Sequence, residues 1–242
     1  MSRGDDLWFA FAGVESPDMG VRLARLPAIP SAEARGTAVK IPGRDGALWL
    51  PEDAFGEVEL RLEIELGPEA ELEAVAAWLA GSGELTLSSM EEYCWRARVS
   101  KGIEWAPGFY AGGRYRGTVA FACDPFRYLP GGGPKKTLSS AGLFSGRGTW
   151  PARPAITVYG QGDVSLMVND VTVLLDGVDG HVTLDCEAMM AFVDGENVSA
   201  RVTLVADGDE WPSLKPAGAG KNRVSWSGDV ERVEIIPNWR WR

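Results

Sequence analysis

The chain has a single histidine, His181, and three widely spaced cysteines with no Cys-x-x-Cys pair among them. Metal sites usually combine histidine and cysteine ligands, and Ser-His or Cys-His pairs need a histidine beside the nucleophile. An odd number of scattered cysteines also argues against a disulfide framework. We therefore predict no catalytic residue, no metal site and no cofactor, and we expect that the chain is not an enzyme.

Long apolar runs and concentrated positive charge are also missing. No stretch reaches the roughly 18 apolar residues of a membrane span, and the first residues lack the order of a secretory signal. The net charge is −10, most of it in residues 1–130, which disfavours binding to phosphates. We expect a protein made in the cytoplasm, without membrane insertion or sequence-specific nucleic acid binding.

What is abundant is glycine and proline, with 30 and 15 residues, and neither is gathered into a low-complexity tract. Many sharp turns between short strands need this composition, and 45% hydrophobic residues are enough for a packed core. The composition therefore predicts a mainly β fold.

The clearest pattern runs from Glu57 to Leu66, where charged and apolar residues alternate at every position. Successive side chains of a strand point to opposite faces, so this is a long strand with one face on a core. It belongs to an antiparallel sheet. The regular row of acids, Glu57, Glu59, Glu63 and Glu65, favours a solvated face or a subunit contact over a paired-carboxylate catalytic site.

Residues 68–80 are predicted to form the one helix of the chain, because Pro68 stands at its first turn and Gly81 follows its end. Leu72, Val75, Ala76 and Leu79 would share its buried face. Strands are predicted around this helix at 7–11, 21–26, 84–88, 93–105 and 114–123, with the last two forming a long hairpin, an exposed loop at 27–38 and a tight reversal at 40–46.

Three consecutive glycines between Pro130 and Pro134 mark the best domain boundary, because such a segment buries little. We predict an N-terminal β-sandwich domain at 1–130, a linker at 131–150 and a C-terminal β-sandwich domain at 151–242. Eight short strands without a helix are predicted in the C-terminal part: 155–159, 164–168, 171–175, 181–185, 189–192, 201–205, 222–226 and 230–236.

Several candidate sites have simpler explanations. Residues 130–137 resemble a phosphate loop, but Pro134 removes a backbone donor and the required Gly-Lys-Ser/Thr ending is absent. His181 lies near Asp179 and Asp185, yet no second nitrogen or thiolate ligand accompanies it, which favours a surface histidine. The tripeptide Arg3-Gly4-Asp5 and the sequon at Asn197 are short matches that carry no weight.

Ten tryptophans are many for 242 residues. Tryptophans within periodic segments are expected in or beside the core: Trp8, Trp49, Trp78, Trp95 and Trp226. Tryptophans near turns or the C-terminus are better placed for an interface: Trp105, Trp150, Trp211, Trp239 and Trp241.

The order of short motifs along the whole chain resembles the distal tail protein family of siphophages. In the N-terminal half these are Phe9-Ala10-Phe11-Ala12-Gly13, Ile41-Pro42-Gly43-Arg44-Asp45-Gly46 and Phe121-Ala122-Cys123-Asp124-Pro125-Phe126. In the C-terminal half they include Gly160-Gln161-Gly162-Asp163, Trp211-Pro212-Ser213-Leu214, Gly220-Lys221-Asn222 and Ile236-Pro237-Asn238-Trp239-Arg240. One departure is Gly146, where the family has asparagine shortly before Gly148.

The resemblance implies an N-terminal β-sandwich with one helix and a long β-hairpin, followed by a galectin-like C-terminal β-sandwich. It also implies a structural virion protein: a hexameric ring, or hub, at the distal end of the phage tail. Its partners would be the tail tube protein, the baseplate hub protein at the tail tip and, in some phages, receptor-binding proteins. Genomic DNA would pass through the ring, and acidic walls would repel it.

Two alternatives remain. A carbohydrate-binding adsorption protein would recognise host surface glycans, but the residues for a galectin-type site, His181, Asn169, Arg201 and Trp211, are scattered along the sequence. A hydrolase would need a convergent set of acid, base or metal-binding residues, which the sequence does not offer.

Overall fold

The computed structural model describes residues 7–107, 115–205 and 210–242, with the side chain of Asp53 left out. The chain divides into two compact units, Met1–Arg127 with Arg242, and Tyr128–Trp241. Both are mainly β, as the composition predicts. Among the described residues no helix is long and apolar enough to cross a membrane.

The described residues of the first unit form a main sheet, a short α-helix and a separate hairpin. Its elements are β1 (Phe9–Phe11), β2 (Val14–Glu15), β3 (Val21–Leu23), β4 (Ala34–Lys40), β5 (Ala47–Phe55), β6 (Val58–Leu66), α1 (Leu72–Trp78), β7 (Ser82–Leu87), β8 (Cys94–Val99), β9 (Ala106–Pro107), β10 (Tyr115–Cys123) and β11 (Arg127–Tyr128), which reaches the boundary between the units. The main sheet has the order β2-β1-β7-β8-β10-β6-β3, and β9 pairs with β10. Within the described part of the chain, strands β4 and β5 pair only with each other, in a sheet of their own.

Strand β6 confirms the alternating pattern, since its apolar residues are buried and its charged residues face outward. Phe9 and Phe11 each contact Phe121 edge to face in the core beneath it. The ring of Trp78 stacks on Phe9 at 5.4 Å, and its indole N–H donates to the carbonyl of Phe11. These contacts attach α1 to the inner face of the sheet.

The predicted helix at 68–80 is too long, because α1 spans only Leu72–Trp78. Ala70 is buried in the core and its Cβ lies against Gly20, so the chain makes a turn there before the helix begins. Val75 and Leu79 are buried as predicted, whereas Ala76 is exposed. The helix therefore contributes two turns.

The strand prediction from 93 to 105 was also too long. Strand β8 ends at Val99 and pairs with β10 over three residues, from Ala97 to Val99. The other end of β10 pairs with β9. The predicted turn between these strands lies largely in 108–114, outside the described residues.

The second unit contains a single highly bent sheet. The strands of this sheet are β12 (Lys136–Leu138), β13 (Gly142–Ser145), β14 (Ala155–Val168), β15 (Val171–Asp185), β16 (Met190–Val193), β17 (Glu196–Asn197), β18 (Val202–Val205) and β19 (Lys221–Ile236), and the short strand β20 (Arg240–Trp241) lies outside it. The order is β12-β19-β14-β15-β16-β17, with β13 also on β19 and β18 also on β15.

Three strands of this unit are long where the sequence predicted pairs of short strands. Glycines at positive φ, among them Gly162, Gly180 and Gly228, were interpreted as turns, but the strands β14, β15 and β19 continue through them. The register of β14 shifts near Gly162, as in a β-bulge, which bends a strand without ending it. Six of the eight predicted short strands are therefore halves of these three long strands.

The bends make the β-sandwich. Each of the three long strands contributes one half to each layer. One layer is completed by β12, β16 and β17, and the other by β13 and β18. Buried residues from both halves belong to one core, for example Val158 and Ile235 from one layer with Leu166 and Val173 from the other. The core sits between two layers that share their three central strands.

Residues 131–150 were suggested as a linker, but the structure includes them in the second unit. Strands β12 and β13 pair with opposite ends of β19. Gly132 is buried against Ile236 and Asn238, and the Asn238 N–H donates to its carbonyl. The glycines here permit close packing that sequence composition does not distinguish from mobility.

Candidate assembly surfaces

The hairpin of β4 and β5 is the most unusual feature of the described surface. From Glu33 to Glu52 every residue except Gly36 is exposed. Among these are five large hydrophobic residues: Val39, Ile41, Leu48, Trp49 and Leu50. Trp49 and Leu50 are each about half exposed, at 50% and 48%. Residues 34–38 were predicted as loop, and that prediction is wrong because a strand with no buried face has no alternation to detect.

Both faces of this hairpin are apolar. On one face Trp49 lies over Gly36, where an added Cβ would be 2.5 Å from the indole ring. On the other face Val39 pairs with Leu48, next to the pair of Thr37 and Leu50. An isolated two-stranded hairpin is only marginally stable in water, and contiguous exposed apolar surface usually marks an interaction site. The hairpin is therefore suited to be covered on both sides by protein.

The outer face of β6 carries a network of ion pairs. Arg98 donates to both carboxylate oxygens of Glu57 at 2.8 and 2.9 Å, and Lys101 donates to Glu59 at 3.0 Å. Arg61 also pairs with Glu59, and Arg25 pairs with Glu63. The hydrogen bonds from Lys101 and Arg61 lower the pKa of Glu59 below its ordinary value. The predicted row of acids is thus a charge-balanced sheet face.

A groove runs beside this face. Residues 25–30 leave the end of β3 as an extended segment, which we call the strap, and its Leu26 and Ile29 are exposed at 46% and 42%. Between the strap and Glu59, Arg61, Glu63 and Thr118 lies an open groove of about 860 Å³. The two walls of the groove differ, since residues 26–30 of the strap are apolar and the sheet side is charged.

The outer face of the second unit carries a compact polar cluster around Tyr159. The Arg232 guanidinium lies 3.6 Å over the ring of Tyr159, and His181 stacks beside it at 5.7 Å. Glu234 accepts hydrogen bonds from Lys135 and Arg232, which lower its pKa. The members of this cluster satisfy one another.

The neighbours of His181 are those of a histidine on a sheet surface. Its Nε2 lies 3.6 Å from Asp194, while Asp185 accepts the backbone N–H groups of Glu187 and Ala188 in the following turn. Among the described residues no group of three or more His, Cys, Asp or Glu side chains could hold a metal. Arg3-Gly4-Asp5 lies outside the described residues.

The residues considered for a galectin-type sugar site are divided between the two layers. His181 pairs with Tyr159 in one layer, whereas Asn169 follows β14 at the end of the other. The Asn169 amide donates to Asn222 and to the carbonyl of Ser213, so it holds a loop in place. Arg201 precedes β18, and Trp211 packs partly buried against the core of this unit.

The three cysteines are all buried and free. Burial raises the pKa of the Cys94 and Cys123 thiols to about 12 and raises that of Cys186 further. Because the thiolate is the reactive form, these cysteines are unreactive at neutral pH. They act as small core residues.

Two tryptophans lie elsewhere than their sequence positions suggested. Trp49 was expected in or beside the core and is half exposed on the hairpin, whereas Trp95 is buried as expected. Trp239 was placed among the interface candidates and is buried in the second core. The missed signal was the run Leu48-Trp49-Leu50, in which adjacent large residues must point to both faces of a strand.

No protein-family model matches the chain. No curated protein matches it either. Among solved structures it is similar to the Dit protein of SPP1, which is described as a paradigm of the hub adsorption apparatus in phages that infect Gram-positive bacteria. The identity is 15% and the TM-score 0.63, and the match covers 95% of this chain and 97% of that chain. The fold implied by the resemblance to distal tail proteins is therefore confirmed over nearly the whole length of the chain.

Proposed function

We propose that this chain is a distal tail protein of a phage: a structural subunit whose copies form a hexameric ring between the tail tube and the adsorption apparatus. The similarity to the SPP1 Dit protein supports the tail role, because the match extends over both units. The order of motifs along the sequence supports the same family. In this proposal the chain is part of the virion and catalyses no reaction.

The observation that carries the proposal is the hairpin of β4 and β5. A protein that works as a monomer gains nothing from exposing Leu48, Trp49 and Leu50 together, whereas a subunit uses such a patch to bind its neighbour. If the hairpin binds a different surface of the neighbouring chain, the contact is heterologous. Heterologous contacts between identical chains form a ring when the rotation from one copy to the next closes.

The proposed neighbours of the ring are the tail tube protein, the baseplate hub protein and, where present, receptor-binding proteins. We also propose that DNA passes through the ring without binding. The net charge of −10 and the balanced ion pairs of the β6 face both suit a surface that does not retain phosphate.

Carbohydrate binding is the weaker alternative. Sugar sites on sheet faces commonly use an aromatic ring with one open face, but Tyr159 is covered by Arg232 and flanked by His181. The other residues considered for that site do not converge with it.

The proposal is tested by native mass spectrometry of the purified chain, alone and mixed with the tail tube protein of the same phage. The wild type should form a hexamer. Replacing Leu48 and Leu50 by serine should weaken each subunit contact by about 2 kcal/mol, or roughly thirtyfold, because two half-exposed leucines no longer gain from burial.

The matched control replaces Leu143 and Leu174 by serine, since both are exposed leucines of the second unit, at 62% and 41%. This variant should form the ring like the wild type. A wild-type chain that stays monomeric even with tube protein would contradict the whole proposal. A hairpin variant that assembles normally would contradict the part given to the hairpin.

A further inference from the structure

Within the described residues, the hairpin of β4 and β5 is attached to its own unit at its foot, which we define as residues 32–34 and 55–56. There Ala34 pairs with Phe55, and the Gly56 N–H donates to the carbonyl of Glu33 at 2.9 Å. Above the foot the register shifts, and residues 36–51 are exposed apart from Gly36. The direction in which the hairpin leaves the unit is therefore determined at the foot.

Arg242 belongs to the first unit and contacts both sides of this foot. Its guanidinium lies 4.3 Å from the centre of the Phe55 ring and donates to the carbonyl of Ala32 at 3.4 Å. The Phe55 ring also contacts the buried Phe126 edge to face at 5.7 Å. The Arg242 carbonyl accepts a hydrogen bond from Arg127 at 3.2 Å. One guanidinium thus joins the segment that enters the hairpin to the residue that ends it.

The chemistry of arginine suits this double contact. A guanidinium is planar, so it can lie over an aromatic ring and donate hydrogen bonds in its own plane at the same time, whereas a lysine ammonium is a compact point charge. Arg242 is exposed, and exposed cation–π contacts contribute little to the stability of a fold. The contact is therefore better suited to holding an angle than to stabilising the unit.

The length of the hairpin makes that angle matter. At about 3.3 Å per residue, residues 36–43 extend roughly 23 Å beyond the foot. A rotation of about 10° at the foot therefore moves the far end by about 4 Å, which is as large as the distance that defines an apolar contact. A small loss of order at the foot would take the apolar residues of the hairpin out of contact with a partner.

We infer that Arg242 is the positioning residue of the hairpin: it holds the foot so that Leu48, Trp49 and Leu50 meet the neighbouring subunit at the angle that the ring requires. The use of this angle rests on the ring proposed above, but the holding itself is a property of the single chain. A surface that is already ordered loses less conformational freedom on binding, so the ring would form at a lower concentration.

Pulsed electron paramagnetic resonance tests the holding in the single chain. Spin labels are attached to Leu48→Cys on the hairpin and to Glu73→Cys on the exposed side of α1, because the natural cysteines are buried and unreactive. The chains also carry Leu50→Ser and are diluted until native mass spectrometry shows monomers. The distance distribution should be narrow in this background and about twofold broader when Arg242→Ala is added.

Two further variants show whether the planar group is responsible. Arg242→Lys keeps the charge without the plane, so its distribution should be nearly as broad as that of Arg242→Ala. Arg22→Ala removes an exposed arginine of β3 in the same unit and should leave the distribution narrow. A narrow distribution in Arg242→Lys would overturn the role given to the planar guanidinium.

Ring formation is then compared in chains without labels. Arg242→Ala should raise the concentration at which half of the chains are hexameric by about threefold or more, relative to Arg22→Ala, with an unchanged midpoint of thermal unfolding. A lowered midpoint with an unchanged distance distribution would give Arg242 a merely structural role and overturn the inference.

The outcomes separate this inference from the proposed function. Equal distance distributions with and without Arg242 overturn the inference, and a hexamer formed by the same chain leaves the ring standing. A distribution that broadens in a chain that never assembles overturns the ring and the use of the angle, while Arg242 still holds the hairpin.

Discussion

Gly132 is a residue whose missing side chain determines the local packing. Its φ is 77°, and a Cβ added there would lie 2.2 Å from the Asn238 side-chain oxygen and 2.7 Å from Ile236. The adjacent Gly131 has a similar φ of 62°, but an added Cβ would meet nothing within 4 Å. A side chain at either position would be strained by the positive φ, but only at Gly132 would it also clash with neighbouring atoms.

We therefore expect Gly132→Ala to destabilise the chain by about 3 kcal/mol, and Gly131→Ala by only about 1 kcal/mol for its positive φ. Thermal and urea unfolding of the two variants measure the difference. Equal losses would mean that Asn238 and Ile236 move aside at no cost.

The packing around Gly146 explains why glycine stands where the related proteins have asparagine. An added Cβ would lie 2.0 Å from the carbonyl oxygen of Lys215, so no side chain fits while that loop is in place. The sequence marks the position as unusual but cannot give the reason, because the reason is a backbone segment about seventy residues away. The same is true of Gly148, whose Cβ would meet the carbonyl of Arg240.

At the scale of elements, β12 is attached to the edge of β19 by an ion pair as well as by backbone bonds. Lys135 donates to Glu234 at 2.8 Å, and the Glu234 side chain is only 15% exposed. Hydrogen bonds from Lys135 and then Arg232 lower the pKa of Glu234 in the folded state. Because the pKa of Glu234 is lower in the folded state, its ionised carboxylate stabilises the fold at every pH above the unfolded pKa of about 4.3. This stabilisation is lost as the pH falls through the folded-state pKa.

We expect Glu234→Gln to lower the melting temperature at pH 7, and the difference from wild type to vanish as the pH falls below about 4. Glu231→Gln is the control, because the Glu231 side chain is 74% exposed and its pair with Arg232 should contribute little at any pH. Melting curves across pH 3 to 7 check both variants. A difference in melting temperature that grows toward low pH would contradict a stabilising role for the ionised Glu234.

Elements with one buried face were predictable from sequence, and elements without such a contrast were not. Strand β6 alternates without a fault, so its position and its buried face were both right. Strand β4 is exposed on both faces, so its sequence resembles a loop. The strands β14, β15 and β19 bend at glycines, and a glycine bulge has the same local sequence as a turn.

The candidate assembly surface was therefore only half predictable. The reversal between β4 and β5 was right, because Pro42-Gly43 is a strong turn signal. The exposure of Trp49 was not, because burial is decided by what the rest of the chain leaves uncovered.

At the scale of the whole molecule, the two compact units each have a separate apolar core. We propose that they are two independently folding domains, divided near Arg127 rather than by a free linker. Differential scanning calorimetry of the full chain should then resolve two transitions. Gly132→Ala should lower the midpoint temperature of only one transition. Val75→Ala, which leaves a cavity at a buried position of α1, should lower only the other midpoint, through a loss of about 2 kcal/mol in the free energy of unfolding. A single transition that both variants shift would contradict the division.

The shared strands of the second unit also determine how it bears force. In a sandwich of separate sheets, a pull between the layers is resisted only by the side-chain interface and the connecting loops. Here the backbones of β14, β15 and β19 run from one layer into the other, so tension between the layers is carried by three covalent chains. The layers of this unit cannot be separated until those strands have lost their hydrogen bonds to their neighbours, which makes it a mechanically tough module.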